Sequence, residues 1–366
     1  MAVALRDAAL DAAIAADPDD RGAYEVYADW LVERNDPRGE WIHVELALED
    51  RPADADLVAR RAELLARHEA TWCGALTSSG YWPTRPIGVT WRRGFMNRAS
   101  ITSQYESDEA ARVYRELAQL PAVVALRELR VGVACSYGGG GDDDFSLIEA
   151  LGELPIASLR RLELAADHQI SWTHVGDISF ANAVLSELES LSIEAGRFTL
   201  GKVDLPRLRR LELVTGGLRP HVPASIAAAR WPALEELVVY FGTDNYGGEC
   251  TIADVRPLLA GANLPRVRSL GLANSEFADE LVLELVRAPI VPRLDKLDLS
   301  QGTLGGDGAR AILEHADAFA HLSRLDLGEN YLPGELAREL HLRLPNAVID
   351  NQKTQETDRR YVSVAE

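Results

Sequence analysis

The sequence predicts an α/β chain in which a small all-α N-terminal part precedes a long array of regularly spaced strands. Two observations carry this. Between Leu126 and Leu327 the chain writes the same phrase eight times: apolar, two variable, apolar, one variable, apolar. Ahead of the array, up to about residue 70, apolar residues recur instead at helical spacing. With 366 residues, 47% of them apolar and 26% charged, the chain has the make-up of a folded protein with room for two domains, or for one repeat array with an appendage.

The helical part covers residues 1–70. Leu5, Ala9, Ala12 and Ala13 recur at helical spacing, and Asp17-Pro18-Asp19-Asp20 supplies a stop and a new N-cap. Tyr24, Tyr27, Trp30 and Leu31 fall on one helical stripe. Asp36-Pro37 breaks that helix and begins another, where Trp41, Val44, Leu46 and Leu48 give a less regular apolar face, and residues 57–68 read as one more amphipathic helix. The stretch from Tyr27 to Ile42, with its Ala-Asp-Trp-Leu-x-Glu core and its Asp-Pro-Arg-Gly-Glu, resembles a short companion domain that precedes repeat arrays in proteins of myxobacteria and planctomycetes. Packing against the first repeat accounts for its aromatics. Asp29 and Glu33, at i and i+4, read as a solvated helix face.

Residues 71–101 read as a linker and a capping strand. They hold Trp72, Trp82 and Trp91 and three turn signals, Ser78-Ser79-Gly80, Trp82-Pro83 and Arg93-Gly94, before a strand over residues 95–101. A repeat array needs such a cap, because its end units otherwise expose core. The first helix behind the strands is expected over residues 106–120.

The repeats occupy residues 102–350, with 351–366 as a tail. The copies open at Leu126, Leu159, Leu188, Leu208, Leu234, Val267, Leu294 and Leu322, which is 33, 29, 20, 26, 33, 27 and 28 residues apart. This phrase is similar to that of the leucine-rich repeat family, and the spacing resembles the ribonuclease-inhibitor-like class of bacterial and other members. The resemblance implies a curved solenoid with a parallel concave sheet and a helix behind each strand. Candidate helices cover residues 225–229, 255–259, 280–286 and 308–314. The 20-residue step has no room for one. At position nine of the repeat, where the family carries an asparagine that satisfies the turn, the chain reads Ala134, Asp167, Gly196, Gly216, Gly242, Ser275, Gly302 and Asn330. Only the last fits, so a regular horseshoe is most secure over the final three repeats. From about residue 264 onward, Leu270-Gly-Leu-Ala-Asn-Ser-Glu276, Leu297-Asp-Leu-Ser-Gln-Gly302 and Arg360-Tyr-Val-Ser-Val-Ala-Glu366 resemble a second bacterial repeat family, which implies an accessory role beside modifying enzymes.

Charge and motif content narrow the function. Acidic residues number 57 against 38 basic, a net charge of −19, and 17 acidic residues against 8 basic fall within residues 1–70. Such a field repels phosphate backbones and anionic lipid, so no nucleic acid and no membrane surface is expected as partner, and a basic protein or peptide is favoured. No stretch is apolar enough for a membrane helix and no secretory leader is legible, so a cytoplasmic location is expected. Cys73, Cys135 and Cys250 have neither disulfide nor zinc spacing, and the eight histidines form no ligand pair. Asp142-Asp143-Asp144, after a glycine run, lacks the alternate spacing of a calcium loop, and the same glycines lack the lysine of a phosphate loop. No nucleophile motif is present. The chain therefore reads as a non-enzyme with no cofactor and no metal.

In a leucine-rich repeat the residues between the leucines face outward on the concave sheet. That assigns Glu128, Arg130, Arg161, Glu163, Arg210, Glu212, Glu236, Tyr240, Lys296, Asp298, Arg324 and Asp326 to the partner-binding face. Of the aromatics Tyr240, Phe241 and Tyr246, only Tyr240 has the outward register of a hot spot. Eight strands at about 4.8 Å span roughly 35–40 Å, enough for an ordinary interface. The expected activity is that of an intracellular scaffold that binds a protein or peptide. The alternatives are an accessory subunit of a peptide- or small-molecule-modifying system, and an inhibitor of a basic toxin or nuclease.

Overall fold

The computed structural model describes residues 5–77, 87–102, 109–133, 146–166, 169–355 and 359–365. The Gly138–Asp144 loop, Cys135 and the tryptophan at position 82 lie outside them. The protein is of the α/β class, and its chain divides into two compact units. One holds the residues up to Gly132 together with Ser146–Leu162, and the other holds those from Glu163 onward.

The first unit begins with four helices, α1 (Ala8–Ala16), α2 (Arg21–Val32), α3 (Pro37–Asp50) and α4 (Ala55–Trp72). Each opens on an aspartate whose carboxylate accepts from amides of the first turn: Asp7, Asp20, Asp36 and Asp54. These caps account for four of the 17 acidic residues of this stretch. The antiparallel pair β1 (Ile87–Arg92) and β2 (Phe95–Ile101) follows, joined by Arg93-Gly94 with φ of 49° and 80°. Two successive left-handed residues form the hairpin turn whose twist matches its strands. The strand expected over 95–101 is present, and β1 is its unforeseen partner. Then come α5 (Glu109–Ala118), a 3-10 turn over Pro121–Ala125, β3 (Glu128–Val133), which runs parallel to β2, and α6 (Ser146–Glu153).

The helices share their core with strand residues. Tyr24, Tyr27, Leu31, Ile42 and Leu46 pack with Phe95 and Ala125. Trp41, Val44, Leu48, Leu64 and Trp72 form a second cluster, in which the Trp41 and Trp72 rings stack at 4.4 Å with Trp91 edge-on to both. Helix α3 is thus buried on two sides, which is why its apolar pattern lacks a single stripe. The Asp-Pro-Arg-Gly sequence is a packing device. Asp36 caps α3, Pro37 starts it, and Arg38, only 2% exposed, pairs with Asp36 at 3.0 Å and donates to the Leu5 carbonyl. Gly39 is needed because a Cβ there would lie 2.6 Å from the Ala28 carbonyl oxygen of α2.

The strand β4 (Arg161–Ala166) straddles the division in the sequence. In the second unit β5 (His174–Asp177) and β7 (Arg197–Thr199) form a small parallel pair, with α7 (Asn182–Leu185) and β6 (Ser190–Glu194) between them. No helix fills the 20-residue step; β7 does. Five strand–helix steps follow: β8 (Arg210–Val214), α8 (His221–Ala228), β9 (Glu236–Gly242), α9 (Ile252–Leu259), β10 (Ser269–Ser275), α10 (Ala278–Leu285), β11 (Lys296–Asp298), α11 (Gly306–Glu314), β12 (Arg324–Asp326), α12 (Gly334–Arg343), then β13 (Ala347–Val348). Strands β6, β8, β9, β10, β11, β12 and β13 pair in that order, all parallel. The fourth and sixth residues of successive phrases lie side by side and are buried, as with Leu211, Leu237, Leu270, Leu297 and Leu325. Val222, Ile226, Val255, Leu258, Leu281, Leu285 and Ile312 supply the buried stripe of the helices.

The turns after the strands stack as regularly as the strands. Asn274, Gln301, Glu329 and Asn351 all have left-handed φ, between 53° and 66°. The first three donate their amides to the next turn, at Ser300, Gly328 and Asp350. Asn351 marks a ninth copy of the phrase, Leu344 to Ile349, hidden in the sequence because Ala347 stands where a leucine is usual. At position nine, Asn330 is fully buried. It accepts from the Leu304 amide and donates to the carbonyls of Leu299, Leu327 and Gly328 at 2.9–3.1 Å. Gln352, in the same place one turn later, accepts from Leu332 and donates to Leu327. The glycines at this position serve close approach. A Cβ on Gly196 would lie 2.5 Å from the Ser171 carbonyl, and one on Gly302 2.9 Å from that of Ser275.

Replacing Asn330 with alanine strands one amide and three carbonyls in the core. Asn330→Ala is expected to cost about 2–4 kcal/mol in urea unfolding, whereas truncating an exposed side chain of the helix that follows, Glu335→Ala, stays within about 1 kcal/mol.

Candidate functional site

Parallel pairing turns the repeat phrase into rows. In the second unit Ser190, Arg210, Glu236, Ser269, Lys296 and Arg324 are register partners in succession, one residue ahead of the buried leucines. One residue beyond those leucines lie Ser192, Glu212, Val238, Gly271, Asp298 and Asp326. Tyr240 stands further along β9 opposite Ala273. All twelve residues assigned to this face lie on strands and none is buried. Arg161, Glu163, Lys296 and Arg324 are exposed, and the other eight are half-buried.

Many of these charges meet each other. Arg210 reaches Glu236 at 2.6 Å and Glu212 at 3.3 Å, and Arg324 reaches Asp326 at 2.7 Å. In the first unit Glu128 lies between Arg161 at 2.9 Å and Arg98 at 3.0 Å. Arg130 and Glu163 also have interaction partners. Lys296 is exposed and has no ion-pair partner among the described residues. Burial opposes the charge on Arg210, yet Glu212 and Glu236 outweigh it and hold its pKa above the usual guanidinium value.

The centre of the face is acidic. Burial pushes the Tyr240 hydroxyl up to about 12, with help from Asp298, Glu212, Glu329 and Asp326. Burial likewise raises the Asp298 pKa, although the Ser300 amide, which its carboxylate accepts at 2.8 Å, pulls the other way. Asp326 accepts from the Gly328 amide in the same manner at 3.0 Å. Both aspartates therefore shape the strand end as well as charge the face. Phe241 is buried and packs edge-on against Phe277 at 5.0 Å, which leaves Tyr240 as the outward aromatic of that strand.

A second surface feature was not legible from the repeat pattern. The segment Arg360–Ala365 lies along the stacked turns, and its contacts are with Asn274, Asp279, Gln301, Glu329, Tyr331 and Ser171 rather than with the outward strand rows. Beside it opens a cleft of about 520 Å³ lined by Asp244, Glu276, Asp279, Arg359, Arg360 and Tyr361 among others. The signal for it in the sequence is indirect: polar residues at position eight of the last repeats and glycine at position nine.

Among the described residues no three His, Cys, Asp or Glu side chains are grouped to hold a metal ion. Cys250 is a free thiol, and burial pushes it up to about 12, away from the range of a reactive thiolate. No helix among the described residues is long and apolar enough to cross a membrane.

No family model matches the chain, and no curated protein matches it in sequence. Among solved structures it is similar to a protein from Bacteroides fragilis whose crystal structure was determined by a structural genomics consortium. The TM-score is 0.60 at 25% identity, over 72% of this chain and 77% of that one.

The face and the core beneath it separate in their energetics. Arg210→Ala removes partly solvated ion pairs and is expected to cost under about 1 kcal/mol in denaturant unfolding. Leu211→Ala, one residue along and fully buried, is expected to cost about 2–5 kcal/mol. Asp298 adds a pH signature. Burial holds its folded pKa above the ordinary aspartate value of 3.8, so the folded state binds the proton more tightly and the protein loses stability at this group as pH rises through that window. Asp298→Asn should thus gain on the native chain between acid and neutral pH, the gap closing below about pH 3.8, as followed by thermal melts at stepped pH.

Proposed function

We propose that this protein is a non-enzymatic leucine-rich repeat scaffold, acting in the cytoplasm, that holds a protein or peptide partner on the outward strand face of its second unit. The observation that carries the reading is the in-register stacking of unburied polar positions over consecutive buried leucines. It yields a continuous, rigid surface with one outward tyrosine set among carboxylates. Rigid strands present their side chains at little entropic cost on binding, which favours recognition over chemistry. No constellation of nucleophile, base and oxyanion donor is needed to account for the residues on it.

Charge selects the partner class. Arg210 and Arg324 are matched by their own carboxylates, whereas the acids around Tyr240 outnumber the cations facing them. A segment carrying lysine or arginine supplies what that centre lacks, and its aliphatic stems cover the Tyr240 ring. The net charge of −19 speeds encounter with such a partner.

Selection of a phage-displayed peptide library on the intact chain tests this. Peptides rich in arginine or lysine are expected to be enriched. Their affinity should fall roughly tenfold or more in Glu212→Lys and in Tyr240→Ala, and should fall again at high salt. A library that yields no binders, or binders indifferent to both substitutions and to salt, rules out this face as the recognition surface.

A further inference from the structure

The segment Arg360–Ala365 is held as peptide ligands are held, through its backbone. The Tyr331 hydroxyl accepts from the Tyr361 amide at 2.9 Å and donates to the Tyr361 carbonyl at 3.1 Å. The Ser363 amide donates to the Gln301 carbonyl at 2.9 Å. The carboxamide of Asn274 takes both sides of Val364, accepting its amide at 2.8 Å and donating to its carbonyl at 2.6 Å. Ser171 donates to the Ala365 carbonyl. Two side chains add selectivity. Arg360 donates to Asp279 at 2.9 Å and to the Thr303 carbonyl at 3.0 Å, and the Ser363 hydroxyl donates to Glu329 at 3.1 Å.

The protein side of these contacts is built for an occupant. Asn274 is fully buried, and its left-handed φ of 56° aims the carboxamide away from its own turn. Asn330, one position further along its own repeat, spends its carboxamide on the turn itself. The bonds that its carboxamide makes to Val364 are those that any extended backbone offers, one amide and one carbonyl, so an incoming segment can replace them in kind. Two glycines clear the path. A Cβ on Gly305 would lie 2.0 Å from the Arg360 guanidinium, and one on Gly216 2.1 Å from the Ala365 carbonyl oxygen. The donors and acceptors come from separate repeats, so the groove runs across the repeats of the second unit rather than within one.

We propose that this turn edge is a receptor groove for an extended polypeptide of the pattern Arg-x-x-Ser, that residues 360–365 are its tethered occupant, and that a partner presenting such a segment displaces them. It is a second binding site, distinct from the strand face. Backbone recognition fixes the extended conformation. Asp279 and Glu329 select a cation and a hydroxyl three residues apart, and the glycines at either end limit bulk. The tether keeps the native segment at an effective concentration on the order of millimolar, so a free peptide competes at a disadvantage on the intact chain and loses that disadvantage when the tether is cut.

The test uses a chain ended after Asp358 and a synthetic peptide of residues 359–366. Titration calorimetry should give one peptide per chain with affinity in the micromolar range. The intact chain should take up the same peptide at least tenfold more weakly, and Asn274→Ala in the shortened chain should lose at least tenfold. A scrambled peptide should not bind. A shortened chain that unfolds cooperatively yet binds no peptide, or an intact chain that binds it equally well, overturns the proposal. An intact chain with a protease site placed within 354–358 guards against misfolding of the shortened one. After cleavage a fluorescent copy of the peptide should exchange into the groove and be competed by the unlabelled copy but not by the scrambled one. Absence of exchange counts against the groove. Glu212→Lys on the strand face should leave all these readings unchanged, which keeps this site separate from the other.

Discussion

Parallel strands of the second unit stand one hydrogen-bonded spacing apart, and that single distance is imposed on whatever follows them. At about 4.8 Å per step there is no room for a side chain between successive turns unless it lies in the turn plane. The chain meets this in three ways. Glycine at Gly196 and Gly302 lets one turn rest on another. A left-handed polar residue at Asn274, Gln301 and Glu329 points each amide at the carbonyl of the next turn. A buried carboxamide at Asn330 or Gln352 gathers the carbonyls that remain. The buried leucines supply the driving force, but it is the satisfied turn that lets them repeat.

The same spacing generates two surfaces of different character. The strand rows offer side chains at fixed intervals, and most of their charges are already paired along or across the strands. Binding there depends on the unpaired excess of acid near Tyr240 and on area. The turn edge offers backbone acceptors and a few side-chain amides and hydroxyls, which suit an extended chain. One surface reads charge and shape, and the other reads peptide conformation.

The first unit shows how a sequence motif with the look of function serves packing. Asp36, Arg38 and Gly39 respectively cap a helix, tie down the Leu5 segment and permit two helices to touch. Asp19 does comparable work, bonded to Arg92 at 2.7 Å and Arg127 at 3.1 Å, and its carboxyl is held below the usual carboxylate range first by Arg92. The abundant acid of this stretch is therefore largely committed to helix caps and ion pairs, although 17 acidic against 8 basic residues still leave it net negative.

Periodicity made the strands legible, because burial of one face forces the 1-4-6 apolar phrase into the chain at every step. It placed Leu211, Leu237, Leu270, Leu297 and Leu325 in the core, and, Gly271 apart, it placed the residues on either side of each outside it. Four of the helices behind the strands followed in the same way, to within a few residues at each end, whereas α12 was not foreseen. Spacing alone also excluded a helix between Leu188 and Leu208. Tertiary structure decided what periodicity does not carry. β1 pairs with β2 through a turn that reads only as Arg93-Gly94. Ala347 belongs to a strand because its neighbours are already there. Phe241 turns inward against Phe277, a residue of the next repeat. Arg360 finds Asp279 across 81 positions of sequence. Local pattern records the demand of one face for burial, and it is silent about contacts whose partners come together only when the whole sheet has stacked.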